Sequence, residues 1–319
     1  MKNKMRLTVL AVTLWAVFFT ACGNEAATAA DAQDRDGMYQ MSQQGADMKN
    51  KLQLLVLVVM LCAVLLTACG KKAATNEVAQ NRDCMYQVSL LQGLTLGDYY
   101  GSITVEELRK NGDTGIGTFN RLNGELVMID GEIYRVAGDG SVEIVSNEET
   151  IPFSVVTYLD PDETRNLKEI RSYEELCEAL DEIVAERGKN RFYMVRIDGN
   201  FNEINVRSVN AQDEPYDPLV DVLEHDQTFF DYENIEGTMI GLYCPPYMAD
   251  LNAVGWHLHF ISKDKTKGGH VLGIDFDDAV LTWDDTNGFQ TKLPQNEMFA
   301  GFDLTIDQTE NIKKVETNQ

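Results

Sequence analysis

The sequence predicts an α+β protein of two domains, built mainly on antiparallel or mixed β-sheets with a few helices. Short apolar runs separated by turn residues recur through the chain, and only one long segment has a clear helical pattern. The chain has 319 residues, of which 44% are hydrophobic, and this is enough for a sizeable core.

Two segments predict helices. The clearer one is "SYEELCEALDEIVAERG", residues 172–188, which has an apolar face at helical spacing and a capping box formed by Ser172 and Glu175. Gly188 is expected to end it. A shorter helix is expected in "SITVEELRKNG", residues 102–112, where acidic residues come early, basic residues come late and a glycine is the stop.

The other folded segments are predicted as strands. In "GELVMIDGEIYRVAGDGSVEIV", Asp-Gly pairs separate the apolar runs, which predicts a meander of hairpins. Further strands are expected after the long helix in "RFYMVRIDG", "FNEINVRSV", "MIGLYCP", "GWHLHFIS", "GHVLGIDF" and "AVLTW". We therefore expect an N-terminal α/β domain at 86–190 and a C-terminal β-rich domain at 191–319.

Two similar signal-like segments precede the predicted fold. "MKNKMRLTVLAVTLWAVFFTAC" and "MKNKLQLLVLVVMLCAVLLTAC" align without a gap, and each combines a basic start with an apolar run of signal-peptide length. The sequence thus predicts a first lipoprotein-type signal at 1–22, a spacer at 23–47, a second signal at 48–69 and a polar tether at 70–85.

Both signal-like segments end in a cysteine. "LTAC" resembles the bacterial lipobox, whose cysteine receives a lipid after cleavage, and "FTAC" is a looser match. We expect an extracytoplasmic lipoprotein of the cell envelope that is lipidated at Cys69, with Cys22 as the weaker alternative. The membrane would then be contacted only through this lipid anchor. A duplicated 5′ end and a true start at Met48 are both compatible with the repeat.

The charge of the chain limits its partners. A formal net charge of −24 excludes the basic surface that binding of nucleic acid requires. An anionic substrate would have to be held by local positive groups, because the overall field opposes it. Outside the signal-like segments, Cys84, Cys177 and Cys244 have neither the even number of a disulfide framework nor a metal-type spacing.

Three of the four histidines lie in the short stretch "GWHLHFISKDKTKGGH". On a strand, His257 and His259 share one face, and a Gly-Gly turn can bring His270 back beside them. Three neutral imidazoles can hold zinc and leave one coordination position open, as catalytic zinc requires. His225 has no such partner in the sequence and is expected to be a solvated or structural residue.

The H-x-H pattern alone leaves the chemistry open. Cupins also use it, but they typically follow it with a glutamate three or four residues later, where this chain has Lys263 and its neighbours. Zinc sites like that of carbonic anhydrase use the pattern too. Three unrelated polar histidines are the remaining alternative.

Longer sequence motifs discriminate between these alternatives. "NGDTGIGTFNRLNGELVMIDGEIYRVAGDG", "RSVNAQDEPYDPL" and "GWHLHFISKDKTKGGHVL" occur in the order found in acetolactate decarboxylases, and the chain resembles that family from about Tyr86 to Glu316. It departs from the family pattern at Thr114, which replaces an aromatic residue, and at Asn210, which replaces proline. A third departure is "GLYCP", which stands where "GFRSP" is common.

The resemblance implies a set of site residues. The implied ligands of a Zn²⁺ ion are His257, His259 and His270, and the implied catalytic residues are Glu125, Arg207, Glu316 and Thr118. Judged by residue type alone, Glu125 could equally be a surface acid of a hairpin, and Arg207 could be a charge at a strand edge. Glu316 could be part of a frayed C-terminal tail.

The resemblance also implies an activity, the zinc-dependent decarboxylation of 2-acetolactate to acetoin and CO₂ through a metal-stabilised enediolate. The substrate would be a small anionic 2-hydroxy-3-keto acid. Neither pyridoxal phosphate nor thiamine is needed, since the ketone accepts the electrons. Two other classes stay open, another zinc-dependent envelope enzyme such as a hydrolase and a non-catalytic binding lipoprotein on the same scaffold. Assembly as a homodimer also stays open.

Overall fold

The computed structural model describes residues 82–317 together with the isolated Leu55. The two predicted signals, the spacer, both candidate lipidation cysteines and most of the tether lie outside the described residues. The described residues 82–317 lie within one compact unit. Within the described part of the chain, no helix is long and apolar enough to span a bilayer.

Fourteen strands and six α-helices make up the described region. The strands are β1 (Cys84–Val88), β2 (Ile103–Thr104), β3 (Thr114–Thr118), β4 (Glu125–Ile129), β5 (Glu132–Val136), β6 (Val142–Ile144), β7 (Thr150–Ile151), β8 (Phe153–Thr157), β9 (Glu163–Ile170), β10 (Phe192–Val209), β11 (Gln227–Cys244), β12 (Gly255–Ser262), β13 (Gly268–Thr286) and β14 (Gly288–Lys292). The helices are α1 (Leu91–Thr95), α2 (Val105–Leu108), α3 (Tyr173–Arg187), α4 (Leu219–His225), α5 (Glu297–Gly301) and α6 (Thr309–Thr317). The mainly antiparallel α+β class predicted from the sequence is confirmed.

The first sheet has seven strands in the order β14-β1-β8-β3-β4-β5-β6. Only β1 and β14 pair in parallel. The hairpin predicted between β4 and β5 is confirmed, because Ile129 pairs with Glu132 across a two-residue turn. Asp130 and Gly131 have φ angles of 51° and 81°, which a type I′ turn requires and which this residue pair adopts readily.

The second sheet has the order β10-β11-β12-β13-β9, and an additional pairing of β10 with β13 closes four of its strands into a ring. The sequence predicts separate strands at 191–199 and 201–209, but both are parts of the 18-residue β10. The Gly199-Asn200 step does not turn, because β11 and β13 hold β10 on both sides up to Gly199. For the same reason, "GHVLGIDF" and "AVLTW" lie on one strand, β13.

Helix α3 confirms the predicted helix and its ends. The Ser172 side chain accepts a hydrogen bond from the Glu175 amide, and Gly188 follows the last turn. The capping box is modified, because the Glu175 carboxylate accepts from the amide of Arg171 instead of Ser172. The apolar face packs on the second sheet through Leu176, Leu180, Ile183 and Val184.

The helix predicted over 102–112 is wrong in its extent. Helix α2 has one turn, Val105–Leu108, capped by the side chain of Thr104. It cannot start earlier, because Ile103 and Thr104 pair with β7 as the short strand β2.

The two sheets do not divide at residue 190. Strand β9 precedes this position but pairs with β13 of the second sheet, whereas β14 follows it but pairs with β1 of the first sheet. One core cluster also combines residues of both halves, including Ile116, Val127, Met194 and Ile240. This shared core, formed where the sheets face each other, is where the candidate site lies.

Candidate functional site

The three clustered histidines lie on the face of the second sheet that is turned toward the first. His257 and His259 are two residues apart on β12, and His270 on β13 is directly opposite His259. Arg207 on β10 is in turn directly opposite His270. Opposed residues of antiparallel strands share a face, so side chains from three strands converge at one place.

A β-bulge in β13 makes this convergence possible. Leu272 has no opposed residue on β10, so the alternation of β13 side chains shifts by one position. Val271 before the bulge and Ile274 after it both pack into the core of the second sheet. Without the extra residue, His270 would point into that core instead of toward the other histidines.

The opposite wall comes from the first sheet, where Glu125 at the start of β4 pairs with Thr118 at the end of β3. Thr118 Oγ1 donates a 2.8 Å hydrogen bond to the carbonyl of Gly124, which holds the turn directly before Glu125. Gly124 has a φ of 83°, and a Cβ there would lie 2.4 Å from the carbonyl oxygen of Val136. The backbone that delivers Glu125 therefore depends on a glycine and a hydroxyl.

The last turn of α6 completes the site. Arg207 Nη2 donates a 2.6 Å hydrogen bond to the carbonyl of Val315, and His270 Nε2 lies 3.0 Å from the carbonyl of Glu316. The Glu316 carboxylate reaches the same cluster, with its Oε2 3.1 Å from His257 Nδ1. The structure thus brings together the residues that the sequence names as candidates, including the glutamate of the C-terminal segment.

One nitrogen of each imidazole points at the centre of the cluster. His257 Nε2 lies 3.1 Å from His259 Nε2 and 3.0 Å from His270 Nδ1. One ligand atom from each residue lies within 4.8 Å of the other two, so a single metal ion could contact all three.

The outer nitrogens fix the protonation of the rings. The outer nitrogen of His259, Nδ1, lies 2.8 Å from the carbonyl of Leu126, and that of His270 faces the Glu316 carbonyl. Carbonyls only accept, so both rings donate their N–H outward and present a bare nitrogen inward. For His257 the Glu316 carboxylate lies 3.1 Å from Nδ1, but this contact lacks hydrogen-bond geometry, and Glu316 Oε2 has no hydrogen-bond partner among the described residues.

Burial keeps the three imidazoles neutral. Burial and, to a smaller extent, the positive charge of Arg207 together lower the pKa of His257 to about 3. Burial is also the main cause that lowers the pKa values of His259 and His270 well below their usual range. Three neutral rings therefore turn lone pairs toward one another at close range. This arrangement fits a cation such as zinc, which would accept all three lone pairs.

Two buried carboxylates flank the histidines. Glu125 Oε2 lies 3.5 Å from His259 Nε2, and burial raises the pKa of Glu125 to about 7, although the charge of Arg207 opposes the rise. Burial also raises the pKa of Glu316 to about 7 against the same opposing charge. Arg207 is only 4% exposed, and its Nε has no hydrogen-bond partner among the described residues. This cation thus keeps an unused donor beside the two acids.

These residues line a cavity with a polar and an apolar side. The polar side holds the three histidines, Glu125, Arg207, Thr118 and Glu316. The apolar side comes largely from α1, α4 and the first sheet and consists of Leu91, Leu94, Leu122, Phe153, Val209, Leu219, Leu223 and Val315. A small molecule with a charged end and an alkyl end matches this division.

Sequence reasoning identifies the polar side chains but misses other parts of the site. The roles of the Leu126, Val315 and Glu316 carbonyls cannot be predicted from residue types, because every residue has a main-chain carbonyl. The apolar wall had a usable signal in the leucine-rich run "LLQGL" at the start of α1. His225 lies outside the cluster, with its side chain 80% exposed.

Comparison with known proteins assigns the family. The model of the alpha-acetolactate decarboxylase family matches residues 85–306. The chain belongs to this family. The prediction of a carboxy-lyase is confirmed by this membership, because the related proteins are named alpha-acetolactate decarboxylases.

Relatives of this decarboxylase-family chain align with about 70% of it. The protein of Brevibacillus brevis is 36% identical over 231 residues, which are 72% of this chain and 80% of that protein. The protein of Methanosarcina mazei is 39% identical over 229 residues, which are 72% and 78% of the two chains. The crystal structure of the Bacillus subtilis strain 168 protein superposes with a TM-score of 0.70 at 34% identity, covering 73% of this chain and 99% of that one.

Thr118→Val keeps the shape of the side chain but removes the hydroxyl that donates to Gly124. We expect the free energy of unfolding to fall by about 1–3 kcal/mol, because a buried carbonyl loses its donor. Chemical denaturation measures this change. Thr118→Ser keeps the hydroxyl and is the matched control. Equal stability of the Val and Ser variants would show that this hydrogen bond does not hold the turn.

Proposed function

We propose that the chain decarboxylates 2-acetolactate to acetoin and CO₂ at a zinc centre held by His257, His259 and His270. The observation that supports this best is the convergence of three neutral imidazoles beside a buried arginine and two buried carboxylates. The relatives named alpha-acetolactate decarboxylases indicate the substrate.

Zinc suits this donor set because it accepts imidazole nitrogens and keeps a position open when the protein supplies three ligands. When bound, the ion would supply a Lewis acid that stabilises negative charge developing on the substrate oxygens. His259 and His270 are held by outer hydrogen bonds to carbonyls, which keep these two rings in the orientation and tautomer that a ligand needs.

Arg207 orients the anionic substrate. The Val315 carbonyl holds one side of its guanidinium at 2.6 Å, while Nε keeps a free donor among the described residues. A planar guanidinium can hold a carboxylate or an enediolate oxygen at two points, which fixes the substrate before the bond breaks. This buried charge also supplies the local attraction that a chain with a net charge of −24 otherwise lacks.

The reaction needs one bond broken and one proton delivered. The bond between the hydroxyl-bearing carbon and the carboxylate breaks, CO₂ leaves, and the electron pair moves toward the neighbouring ketone. The resulting enediolate becomes acetoin when its carbon takes up a proton. Glu125 is held beside His259 on the wall that the first sheet forms, so it delivers this proton from one side. Glu316 is the alternative donor.

His257→Ala removes one of the three converging nitrogens. We expect the variant to lose most of its zinc, measured by elemental analysis, and most of its acetoin formation. His225→Ala is the matched control, because the exposed side chain of His225 lies outside the cluster, and it should keep both. A His257→Ala protein with full zinc and normal turnover would contradict the proposed metal centre.

Glu125→Gln keeps the size of the side chain but removes the transferable proton. We expect kcat to fall by about 100-fold or more if Glu125 is the general acid. The acetoin should also lose its single handedness, because a released enediolate is protonated in water from either face. Chiral chromatography measures the product. Glu316→Gln should still give one enantiomer. If Glu316→Gln gives both acetoin enantiomers while Glu125→Gln gives only one, Glu316 is the proton donor and Glu125 is not.

We further propose that the chain is a lipoprotein of the cell envelope, anchored through Cys69. The "LLTAC" motif and the apolar run before it support this site, and Cys22 is the alternative. Mass spectrometry of the membrane fraction should find a mature chain that starts at a lipidated Cys69. An unlipidated cytoplasmic product that keeps residues 49–68 would refute the anchor.

A further inference from the structure

Helix α6 supplies two of the three outer contacts that hold the metal-binding rings. The Glu316 carbonyl lies 3.0 Å from His270 Nε2, and the Glu316 carboxylate lies 3.1 Å from His257 Nδ1. His259 takes its outer acceptor from elsewhere, the Leu126 carbonyl on β4. The last turn of α6 therefore decides which nitrogen of His270 stays bare, and it places a carboxylate beside His257.

The main chain contributes more of these contacts than the side chain. Arg207 Nη2 donates to the Val315 carbonyl, and His270 donates to the Glu316 carbonyl. Only the contact with His257 uses the carboxylate of Glu316. A substitution of this glutamate leaves both carbonyls in place, whereas removal of the turn deletes all three contacts.

Apart from these contacts, α6 is held by a small apolar surface. Ile312 and Val315 are its two buried hydrophobic residues, and they pack against a core cluster that includes residues of α1 and α4. Clefts run along several sides of the helix and reach Val315 or Glu316. The polar contacts at the last turn are thus a large part of what keeps α6 docked.

We infer that docking of the last turn of α6 and binding of the metal are coupled, so that each favours the other. A docked α6 keeps the inner nitrogen of His270 free of a proton, which a metal ion requires. By thermodynamic linkage, a bound metal must stabilise the docked helix to the same degree. This inference rests on the proposed metal centre but not on the proposed reaction, and main-chain carbonyls are its central positioning groups.

The test compares zinc affinities by competition with a chromophoric chelator. A chain that ends at Gln308 lacks all of α6, and it should bind zinc about 10–100-fold more weakly than the full chain. Glu316→Gln keeps both carbonyls and loses only the carboxylate charge beside His257, so its zinc affinity should fall less than that of the chain that ends at Gln308. A chain that lacks only residues 318–319 is the control for truncation and should match the full chain.

Hydrogen exchange on the full chain tests the reciprocal effect without truncation. Zinc should slow amide exchange more strongly in α6 than in α3, because α3 supplies none of the outer contacts of the three histidine rings. The same difference is expected in Glu316→Gln. Equal zinc affinity of the full chain and the chain that ends at Gln308 would overturn the coupling, as would zinc-independent exchange in α6. A full chain that binds no zinc would overturn the metal centre and the coupling together.

Discussion

The rest of the site depends on one constraint, the meeting of three uncharged imidazole nitrogens in a place shielded from water. Two of the nitrogens are held bare because carbonyls accept the outer N–H groups of His259 and His270. Burial lowers the pKa values of His259 and His270, so that these rings stay neutral, and the positive charge of Arg207 contributes to this effect. Such a cluster would be favourable around a cation, and the outer hydrogen bonds hold the rings in the orientation that the proposed metal centre requires.

The architecture is arranged around that cluster. The ring of strands in the second sheet places His259, His270 and Arg207 in direct opposition, and the bulge at Leu272 turns His270 to the correct face. The first sheet contributes Leu126 as an acceptor and Glu125 as an acid from the same strand. Helix α6 then closes the cluster with carbonyls and a carboxylate. Acceptors from two sheets and a helix meet here, which explains why the site lies in the core shared by both halves of the sequence.

The sequence predicts local features well, because neighbouring residues determine them. The capping of α3 by Ser172, the turn at Asp130-Gly131 and the pairing of histidines on one strand are of this kind. It predicts long-range features poorly. The Gly199-Asn200 step has the composition of a turn, but pairing with strands on both sides keeps it extended. The bulge and the carbonyl acceptors likewise depend on which strands become neighbours, and residue types do not encode this.

The tautomers of the three histidines in the zinc-loaded chain test the account most directly. Long-range ¹⁵N–¹H correlation spectra of the imidazoles distinguish a protonated Nδ1 from a protonated Nε2. The outer hydrogen bond of His259 predicts that this ring carries its proton on Nδ1 and binds zinc through Nε2, and the inward-facing Nε2 of His257 predicts the same for that ring. His270 should show the reverse, with its proton on Nε2 and zinc on Nδ1. The same tautomer in all three rings, or zinc-independent spectra, would contradict the claim that outer acceptors prepare the cluster for a metal.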